Sequence, residues 1–385
     1  MREVLVNRRG AARFRAGHPW IYRSDVESAA GLEGGEVVRV RSGRSALGLA
    51  HYSSQSLIAL RFLPEDSEQL PSTFFSKRFD QARAYRQSLY GSSAVYRLIH
   101  GEGDLLPGLV IDRFGDVFAV QTLTQGMEAA KSAIVEGLVE AFHPQAIVER
   151  NDVAVREREG LPRLNGSLWG EAPEEVEIEI NSLRFGVEPL AGQKTGLFLD
   201  QRENYQAAAS YAHGAALDCF TYAGGFALHL ARRAEHVEAV DSSAPALAVA
   251  RRNAERNGVV NVDWREGDAF DALRQHASAR RRFDTIVLDP PAFAKSRRHV
   301  EAALRAYRDL NRRALEALAP RGVLISCSCS HHISEAELLG VIAEASLDAG
   351  RKLRVIERRT QARDHSILLT APETHYLKCL ILEAL

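Results

Sequence analysis

The chain has 385 residues, of which 45% are hydrophobic and 26% charged, and its formal net charge is −1. These values are typical of an ordinary globular protein, and the length predicts two or three domains because single cores stop growing below this size. No apolar run approaches the roughly 20 residues of a membrane helix, and residues 1–17 are basic and polar, so we expect no signal segment and no membrane partner. Four cysteines do not form a disulfide framework, which favours a reducing, cytoplasmic location.

Positive charge is nevertheless concentrated in two places. Residues 1–23 contain six arginines and one acid, and residues 274–298 contain seven basic residues and two acids. Two local basic patches on a nearly neutral chain favour a polyanionic partner that binds at these patches. The alternative is that an arginine-rich sequence simply has solvated, arginine-rich faces.

Residues 1–70 predict a small β domain. Strands at 37–40 and 46–50 flank a turn at Ser42-Gly43, and residues 57–62 form a further strand. The preceding stretch Gly-His-Pro-Trp-Ile-Tyr, 17–22, resembles the opening of a PUA domain, an RNA-binding β-barrel. An equally good interpretation of its aromatic residues is core packing. The candidate RNA-binding residues of the two patches are Arg8, Arg9, Arg13, Arg15, Trp20, Lys295, Arg297 and Arg298.

Residues 71–190 predict a linking helix at 73–89 followed by a small central α+β domain. We expect strands at 96–99, 108–112, 117–123 and 146–149, and a helix at 127–142. A hairpin that turns at Asn181-Ser182 closes the segment, since its first arm alternates apolar and polar residues.

Residues 191–385 predict an α/β domain. From Gly214 onward, strands alternate with helices, which indicates a parallel sheet covered by helices on both faces. The expected strands are 215–219, 236–240, 262–265, 284–288, 323–327, 353–357 and 376–381. Ligands of such sheets bind outside the carboxyl ends of the strands, where the strand order reverses.

Polar and glycine residues follow the first three of these strands. The first ends in a glycine turn that lets the backbone approach a ligand, although its spacing is not Gly-x-Gly-x-x-Gly. The second ends at Asp241, which can accept bonds from ribose hydroxyls, and the third is followed by Asp268, which can hold an adenine amino group. The alternative for each is a turn glycine or a helix-capping aspartate. The candidate cofactor residues here are Phe220, Thr221, Gly224, Gly225, Phe226, Asp241, Ser242, Asp268 and Ala269.

In this order and spacing the three signals resemble the class I S-adenosylmethionine methyltransferases. The fourth strand ends in Asp289-Pro290-Pro291-Ala292-Phe293, which resembles the fourth motif of methyltransferases that act on bases. There the prolines fix the loop and the acid or a carbonyl bonds the flipped base, so Asp289 and Pro290 join the candidate site.

The fifth strand ends in Ser-Cys-Ser-Cys-Ser-His-His, 326–332. Methylation of a pyrimidine ring carbon needs a thiolate that adds to C6, whereas methylation at nitrogen or oxygen needs no cysteine. The alternatives for Cys327 and Cys329 are a buried structural pair or a metal site with His331 and His332. Zinc is disfavoured because a second spaced pair of ligands is missing, so we expect no metal.

Over nearly its full length the chain resembles the bacterial 23S ribosomal RNA large-subunit methyltransferases that make 5-methylcytosine. The matching stretches are RLIHGEGDLLPGLVIDRFGD from Arg97, ERNDVAVREREG from Glu149, GQKTGLFLDQREN from Gly192, LDPPAFAKS from Leu288 and the Ser-Cys-Ser at 328–330. The resemblance implies an N-terminal PUA-like β-barrel, a small central α+β domain and a C-terminal Rossmann-like class I methyltransferase domain. It also implies S-adenosyl-L-methionine as cofactor and 23S ribosomal RNA, or a large-subunit precursor, as partner.

The resemblance also implies roles for particular residues. Cys329 would be the nucleophile, and Asp289 would bond or protonate N3 of the cytosine. Cys327, one pleat earlier, would be structural. The residues implied to border the cofactor and the target base are Lys194, Thr195, Asp200, Gln201 and Arg202. Related enzymes carry a second cysteine after the prolines, but this chain has Ala292 there, so either another base removes the C5 proton or Cys327 takes part.

Four other functions stay open at this point. A 5-methyluridine enzyme shares the thiol addition, but typically continues Asp-Pro-Pro-Arg and Ser-Cys-Asn-Pro, and neither occurs here. A guanine N-methyltransferase would not need Cys329. The chain could also be an RNA-binding assembly factor without activity, while a nicotinamide dehydrogenase lacks support from the glycine spacing. The sequence leaves the modified nucleotide and the oligomeric state undecided, with a homodimer among the options.

Overall fold

The computed structural model describes residues 1–64, 67–191, 196–294 and 296–385. The chain forms two compact units. The first comprises residues 1–178, 187–197 and 363–374, and the second comprises residues 179–186, 198–362 and 375–385. The backbone therefore passes between the units several times.

The first unit begins with a six-stranded sheet of order β2-β6-β5-β4-β1-β3. Its elements are β1 (Glu3–Val6), α1 (Arg8–Arg15), β2 (Trp20–Tyr22), β3 (Val26–Ser28), β4 (Val37–Ser42), β5 (Ser45–Tyr52) and β6 (Ile58–Leu63). Alternate residues of these strands, among them Val4, Val38 and Leu60, are buried in one apolar cluster. The strands and the turn expected between residues 37 and 62 are confirmed.

A five-stranded sheet of order β11-β10-β9-β8-β7 forms the rest of the first unit. Its elements are α2 (Ser72–Tyr90), β7 (Val95–His100), β8 (Leu109–Phe114), β9 (Val117–Thr122), α3 (Gln125–Ala129), α4 (Lys131–Phe142), β10 (Ala146–Arg150) and β11 (Asn165–Gly170). The linking helix is confirmed as α2. The single helix expected at 127–142 is wrong in one respect, since it divides at Ala130, whose φ of −87° and ψ of 2° lie outside the helical region.

The predicted hairpin is present as β12 (Val176–Ile180) and β13 (Leu183–Val187). Asn181 and Ser182 both have positive φ, 53° and 62°, which is the geometry of a type I′ turn. Within the second unit, the carboxamide of Asn257 accepts from the amide of Arg184 at 2.8 Å, and that of Asn253 accepts from Gly186 at 2.9 Å.

The second unit contains a seven-stranded sheet of order β16-β15-β14-β17-β18-β20-β19. Its elements are α5 (Arg202–Tyr211), β14 (Ala215–Cys219), α6 (Gly225–Leu230), β15 (His236–Asp241), α7 (Ala244–Arg256), β16 (Val262–Glu266), α8 (Ala269–Ser278), β17 (Phe283–Leu288), α9 (Val300–Ala317), β18 (Leu318–Ser328), α10 (Glu335–Asp348), β19 (Leu353–Thr360) and β20 (Lys378–Ala384). All seven expected strands are therefore present, and strands β14 to β18 pair in parallel.

One strand departs from the expected parallel sheet. β20 is inserted between β18 and β19 and runs antiparallel to both. The crossover through α10 brings β19 back parallel to β18 at one strand's distance, whereas no α-helix separates β19 from β20, so β20 returns antiparallel into the space between them. The strand order reverses beside β14, whose neighbours are β15 on one side and β17 on the other.

Candidate active site

Four strands of the second unit end at the same edge of the sheet. In the parallel pairings Cys219 of β14 lies level with Leu288 of β17, and Leu288 lies level with Ser326 of β18. β15 pairs with β14 on the other side. The turn after Cys219, the carboxylate of Asp241, the Asp-Pro-Pro segment and Cys329 therefore share the edge where ligands of such sheets bind.

The turn after β14 is held in a strained conformation by Asp218. This buried carboxyl accepts from the Thr221 hydroxyl at 2.6 Å and from the Ala227 amide at 2.9 Å. Phe220 and Tyr222 both adopt positive φ, 68° and 50°, which is unfavourable for residues with a side chain. Burial, and secondarily the charge of Asp289, raises the pKa of Asp218 to about 8.

Gly224 and Gly225 of this turn have no room for a side chain, each for a different steric reason. Gly224 has a φ of 86°, and a Cβ on it would approach the Trp264 ring to 3.1 Å. A Cβ on Gly225, the first residue of α6, would lie 2.6 Å from the Tyr205 ring. The turn therefore excludes side chains at both positions.

Asp241 lies at the end of β15 and is half-buried. Its Oδ2 accepts from the Tyr222 amide at 2.8 Å, and its Oδ1 accepts from the Ser243 amide at 2.9 Å. Each oxygen has further acceptor capacity, so the carboxylate can also receive hydroxyl groups of a sugar.

Asp268 has a structural role that the sequence analysis named as its alternative. Its carboxylate is the N-cap of α8 and accepts from the Asp271 amide at 3.1 Å. The side chain is exposed, so capping and ligand binding do not exclude each other. Its proposed contact with an adenine stays a prediction.

The Asp-Pro-Pro segment meets the loop after β18. The amide of Asp289 approaches the Cys219 carbonyl at 3.4 Å, and the Cys329 thiol lies 3.9 Å from the Pro290 carbonyl oxygen. Asp289 is half-buried and Cys329 is partly exposed. Asp289 and Cys329, which the sequence separates by 40 positions, are thereby brought to the same edge of the sheet.

The four cysteines differ sharply in their surroundings. Cys219, Cys327 and Cys379 are buried, whereas Cys329 is partly exposed. Cys327 lies opposite Cys379 in the β18–β20 pairing. A hydrogen bond between these two thiols, together with burial, raises the pKa of Cys327 well above its ordinary value. This geometry favours the structural interpretation of Cys327.

A small polar network supports the loop that carries Cys329. The Ser330 hydroxyl lies 3.2 Å from the Tyr307 hydroxyl and accepts from the Ala294 amide at 3.4 Å. The Lys378 ammonium donates to the Ser330 carbonyl at 2.7 Å. Sequence reasoning missed Tyr307 and Lys378, which lie on α9 and β20 and carry no motif of their own.

Asp200, Gln201 and Arg202 are buried at the start of α5. Asp200 accepts from the Tyr376 hydroxyl at 2.7 Å, and a hydrogen bond joins Gln201 to the Cys327 thiol. Tyr205, one turn later, packs against Gly225 of the glycine turn. The Asp-Gln-Arg stretch thus adjoins both the cysteine strand and the glycine turn, with its side chains beneath the surface, and its contact with the cofactor and the target base stays a prediction. Lys194 and Thr195 lie outside the described residues.

The predicted RNA-binding residues fall into engaged and exposed groups. In the first unit, Arg9 and Arg13 both pair with the buried carboxylate of Asp25. The Trp20 indole donates to Glu102 at 2.8 Å, so its polar edge is occupied by protein. Arg8, Arg15, Arg297 and Arg298 are exposed, and so is Arg9 although it pairs with Asp25. Lys295 lies outside the described residues.

Within the described ranges, no group of three or more His, Cys, Asp or Glu side chains is arranged to hold a metal ion. The His331 ring stacks on Tyr376 with centroids 5.4 Å apart. No helix in the part of the chain that the structure describes is both long and apolar enough to cross a membrane.

Comparison with protein families agrees with this architecture. Residues 4–64 match the family model of a PUA-like domain, and residues 97–366 match that of the S-adenosylmethionine-dependent methyltransferases. Fold and site therefore define a methyltransferase of this class with a PUA-like domain at its N-terminal end. Ribosomal RNA large subunit methyltransferase I of Photobacterium profundum is 39% identical over 376 residues, 95% of each chain. The chain belongs to the family of these large-subunit methyltransferases.

Two solved structures cover all of this chain and are themselves covered completely. A putative S-adenosylmethionine-dependent methyltransferase from Streptococcus mutans has a TM-score of 0.85 at 22% identity. The putative methyltransferase SMU.776, complexed with SAH, has a TM-score of 0.87 at 23% identity. At these identities they establish the fold. The family resemblance, the fold class and the cofactor expected from the sequence are confirmed.

The residues of the strand ends fit S-adenosylmethionine. Asp241, whose carboxylate bonds the Tyr222 amide of the glycine turn, presents an acceptor suited to ribose hydroxyls. The cofactor supplies an electrophilic methyl group. The assignment of individual residues to its parts stays a prediction.

Proposed function

We propose that the chain methylates C5 of a specific cytosine in 23S ribosomal RNA through a covalent bond between Cys329 and C6 of that base. The names of its relatives support large-subunit ribosomal RNA as the substrate. The observation that carries the proposal is the position of Cys329, a partly exposed thiol 3.9 Å from the Pro290 carbonyl of the base-binding motif.

Cytosine C5 is a weak nucleophile, so the ring must be activated before it can accept a methyl group. The Cys329 thiolate adds to C6, and the electron pair of the C5–C6 double bond then becomes available at C5. Asp289, at the end of β17, acts in its protonated form: its carboxyl hydrogen-bonds or protonates N3, which accommodates the charge that develops on the ring, and it takes the proton back when the double bond is restored. After methylation, loss of the C5 proton and departure of the thiolate restore the double bond.

The acceptor of the C5 proton is not Cys327 in this proposal. Its thiol is buried, hydrogen-bonded to Cys379 and has a raised pKa, so it lacks both access to the base and thiolate character. Ala292 occupies the place of the second cysteine found in related enzymes. Another base or a water molecule must therefore receive the proton.

RNA containing 5-fluorocytosine tests the nucleophile directly, because fluorine at C5 cannot leave as a proton would and the enzyme stays attached. In the presence of S-adenosylmethionine, the wild-type protein should form an adduct that survives denaturing electrophoresis. Cys329→Ala should form none, while the matched variant Cys327→Ala should still form it. An adduct with Cys329→Ala would overturn the assignment.

The rival functions give different results. A 5-methyluridine enzyme would be trapped by 5-fluorouracil RNA instead, and a guanine N-methyltransferase by neither. An assembly factor without activity would show no measurable affinity for S-adenosylmethionine. Bisulfite sequencing of ribosomal RNA from a deletion strain should show loss of one protected cytosine, and an unchanged pattern would contradict the proposal.

We further propose that residues 1–70 form the PUA-like RNA-binding domain, that residues 71–190 form the linking helix and central domain, and that residues 191–385 form the methyltransferase domain. The exposed arginines of the two basic patches support contact with the phosphate backbone. The cytoplasm, where ribosomal RNA is made in bacteria, is the proposed location.

A further inference from the structure

Lys378, the first residue of β20, is a buried lysine beside the loop that carries Cys329. It lies opposite Ser328 in the pairing of β18 with β20, so its backbone is level with the end of the cysteine strand. Its ammonium donates to the carbonyl of Ser330 at 2.7 Å and to that of Tyr376 at 2.8 Å. Lys378 therefore links Ser330, the residue after Cys329, to Tyr376, which lies just before β20.

The charge of this ammonium has no carboxylate partner among the described residues, because its two acceptors are neutral carbonyls. The nearby acids are committed elsewhere. Glu337 accepts from the Ser334 amide and hydroxyl in the capping box of α10, and Glu335 pairs with Arg358. An ammonium has three donors, so one remains after the two carbonyls are satisfied.

A buried cation is costly unless an anion compensates it. The groups that interact with the Lys378 charge are Cys329, Glu337 and Glu335. Of these, Cys329 adjoins the residue that Lys378 binds, and it is the group whose reactive form is an anion. Burial lowers the pKa of Lys378 to about 8, and the attraction of Cys329 opposes that shift, so the lysine is still mainly charged at neutral pH.

We propose that Lys378 is a positioning residue that holds the Cys329 loop and keeps Cys329 as a thiolate. The inference rests on the proposed function, since it concerns how the proposed nucleophile is activated. Lys378 acts through Cys329 and through the Ser330 carbonyl.

The test is the pH dependence of Cys329 alkylation by iodoacetamide, followed by mass spectrometry of the labelled peptide. Cys329 can be followed separately because the other three cysteines are buried. The wild-type midpoint should lie below the value of about 8.5 for a free cysteine. Lys378→Gln keeps hydrogen-bond donors but removes the charge, and it should raise the midpoint by about one unit, which slows alkylation at pH 7 roughly tenfold.

Two further variants separate charge from structure. Lys378→Arg keeps the charge, so the pH midpoint of Cys329 alkylation should stay close to the wild-type value. Lys352→Met removes an exposed lysine of the same unit and should leave this midpoint unchanged. An unchanged midpoint in Lys378→Gln would overturn the proposal. Alkylation of Cys327 and Cys379 in both Lys378 variants would overturn it as well, because it would show that the lysine only maintains the strand end.

Failure of the Lys378 proposal and failure of the proposed function give different experimental results. Adduct formation with 5-fluorocytosine RNA measures the nucleophile, and alkylation measures the thiol without RNA. If the wild type forms the adduct but Lys378→Gln leaves the alkylation midpoint unchanged, only the role of Lys378 fails. If no adduct forms, the proposed function fails whatever the alkylation shows.

Discussion

At the scale of single residues, the site depends on carboxyls whose surroundings differ. Asp241 is half-buried and bonded to two backbone amides, whereas Asp218 is fully buried beneath the glycine turn. The half-buried carboxylate of Asp241 suits a ligand, and the fully buried carboxyl of Asp218 suits the support of the turn. The sequence places both at strand ends, but only the structure shows which one faces inward.

Asp218 makes the stability of the protein depend on pH in a defined direction. Its pKa is about 8 in the folded protein and near its ordinary value of 3.8 when unfolded. A raised pKa means that the folded state retains the proton, so this stabilising contribution is complete below the unfolded pKa and is lost as the pH rises through the folded pKa.

Asp218→Asn should therefore stabilise the protein at pH 8 relative to the wild type, since the amide is neutral and its oxygen can still accept from Thr221 and Ala227. The difference in unfolding free energy should grow between pH 4 and pH 8 by at most about 1.4 kcal/mol per pH unit. Urea denaturation of both proteins across this range measures it. A difference that does not vary with pH would contradict the raised pKa.

At the scale of elements, helix packing depends on how closely backbones approach. A Cβ on Gly137 of α4 would lie 2.9 Å from both the Phe75 Cβ and the Ser72 carbonyl oxygen of α2. The same atom on Gly340 of α10 would meet nothing within 4 Å. The two glycines share helical geometry and differ in their surroundings.

Gly137→Ala should destabilise the protein by about 1–3 kcal/mol, because backbone and a Cβ atom must move apart. Gly340→Ala is the matched control and should stabilise it by about 0.5–1 kcal/mol through the better helix propensity of alanine. Thermal or urea unfolding of each variant provides the measurement. Equal effects of the two substitutions would rule out close packing of α2 against α4 at Gly137.

At the scale of the whole molecule, the two basic patches should set the salt dependence of RNA binding. Among the described residues of the first patch, Arg8 and Arg15 are exposed and make no ion pair, whereas Arg9 and Arg13 neutralise Asp25. Arg8 and Arg15 are therefore better placed to contact phosphates than Arg9 and Arg13, whose charges are already engaged by Asp25.

Replacing both Arg8 and Arg15 by glutamine should weaken RNA binding and reduce the slope of log affinity against log salt by about 1.5, which corresponds to two lost phosphate contacts. Fluorescence anisotropy with a ribosomal RNA fragment at several salt concentrations measures this slope. The control pair Arg305→Gln and Arg354→Gln removes two exposed arginines outside both patches. The same loss of slope in the control would show that only net charge matters.

Much of the fold follows from local signals in the sequence. The seven strands of the second unit, the linking helix and the hairpin that turns at Asn181-Ser182 are all present where periodicity and turn residues predicted them. Strand β11 was missed because its two glycines and polar residues weaken the alternation. The direction of β20 was missed because periodicity reports burial of a strand and not its orientation.

The sequence by itself determined the class of the protein, its cofactor and the candidate nucleophile, because those depend on short motifs whose residues are neighbours in the chain. The tertiary structure alone decided that Cys327 is buried against Cys379, and that Lys378 reaches the Ser330 carbonyl. It also decided which arginines are occupied by Asp25. Such contacts join residues that are far apart in sequence, and burial, which sets the pKa of a group and its access to RNA, is a property of the packed chain and of no local pattern.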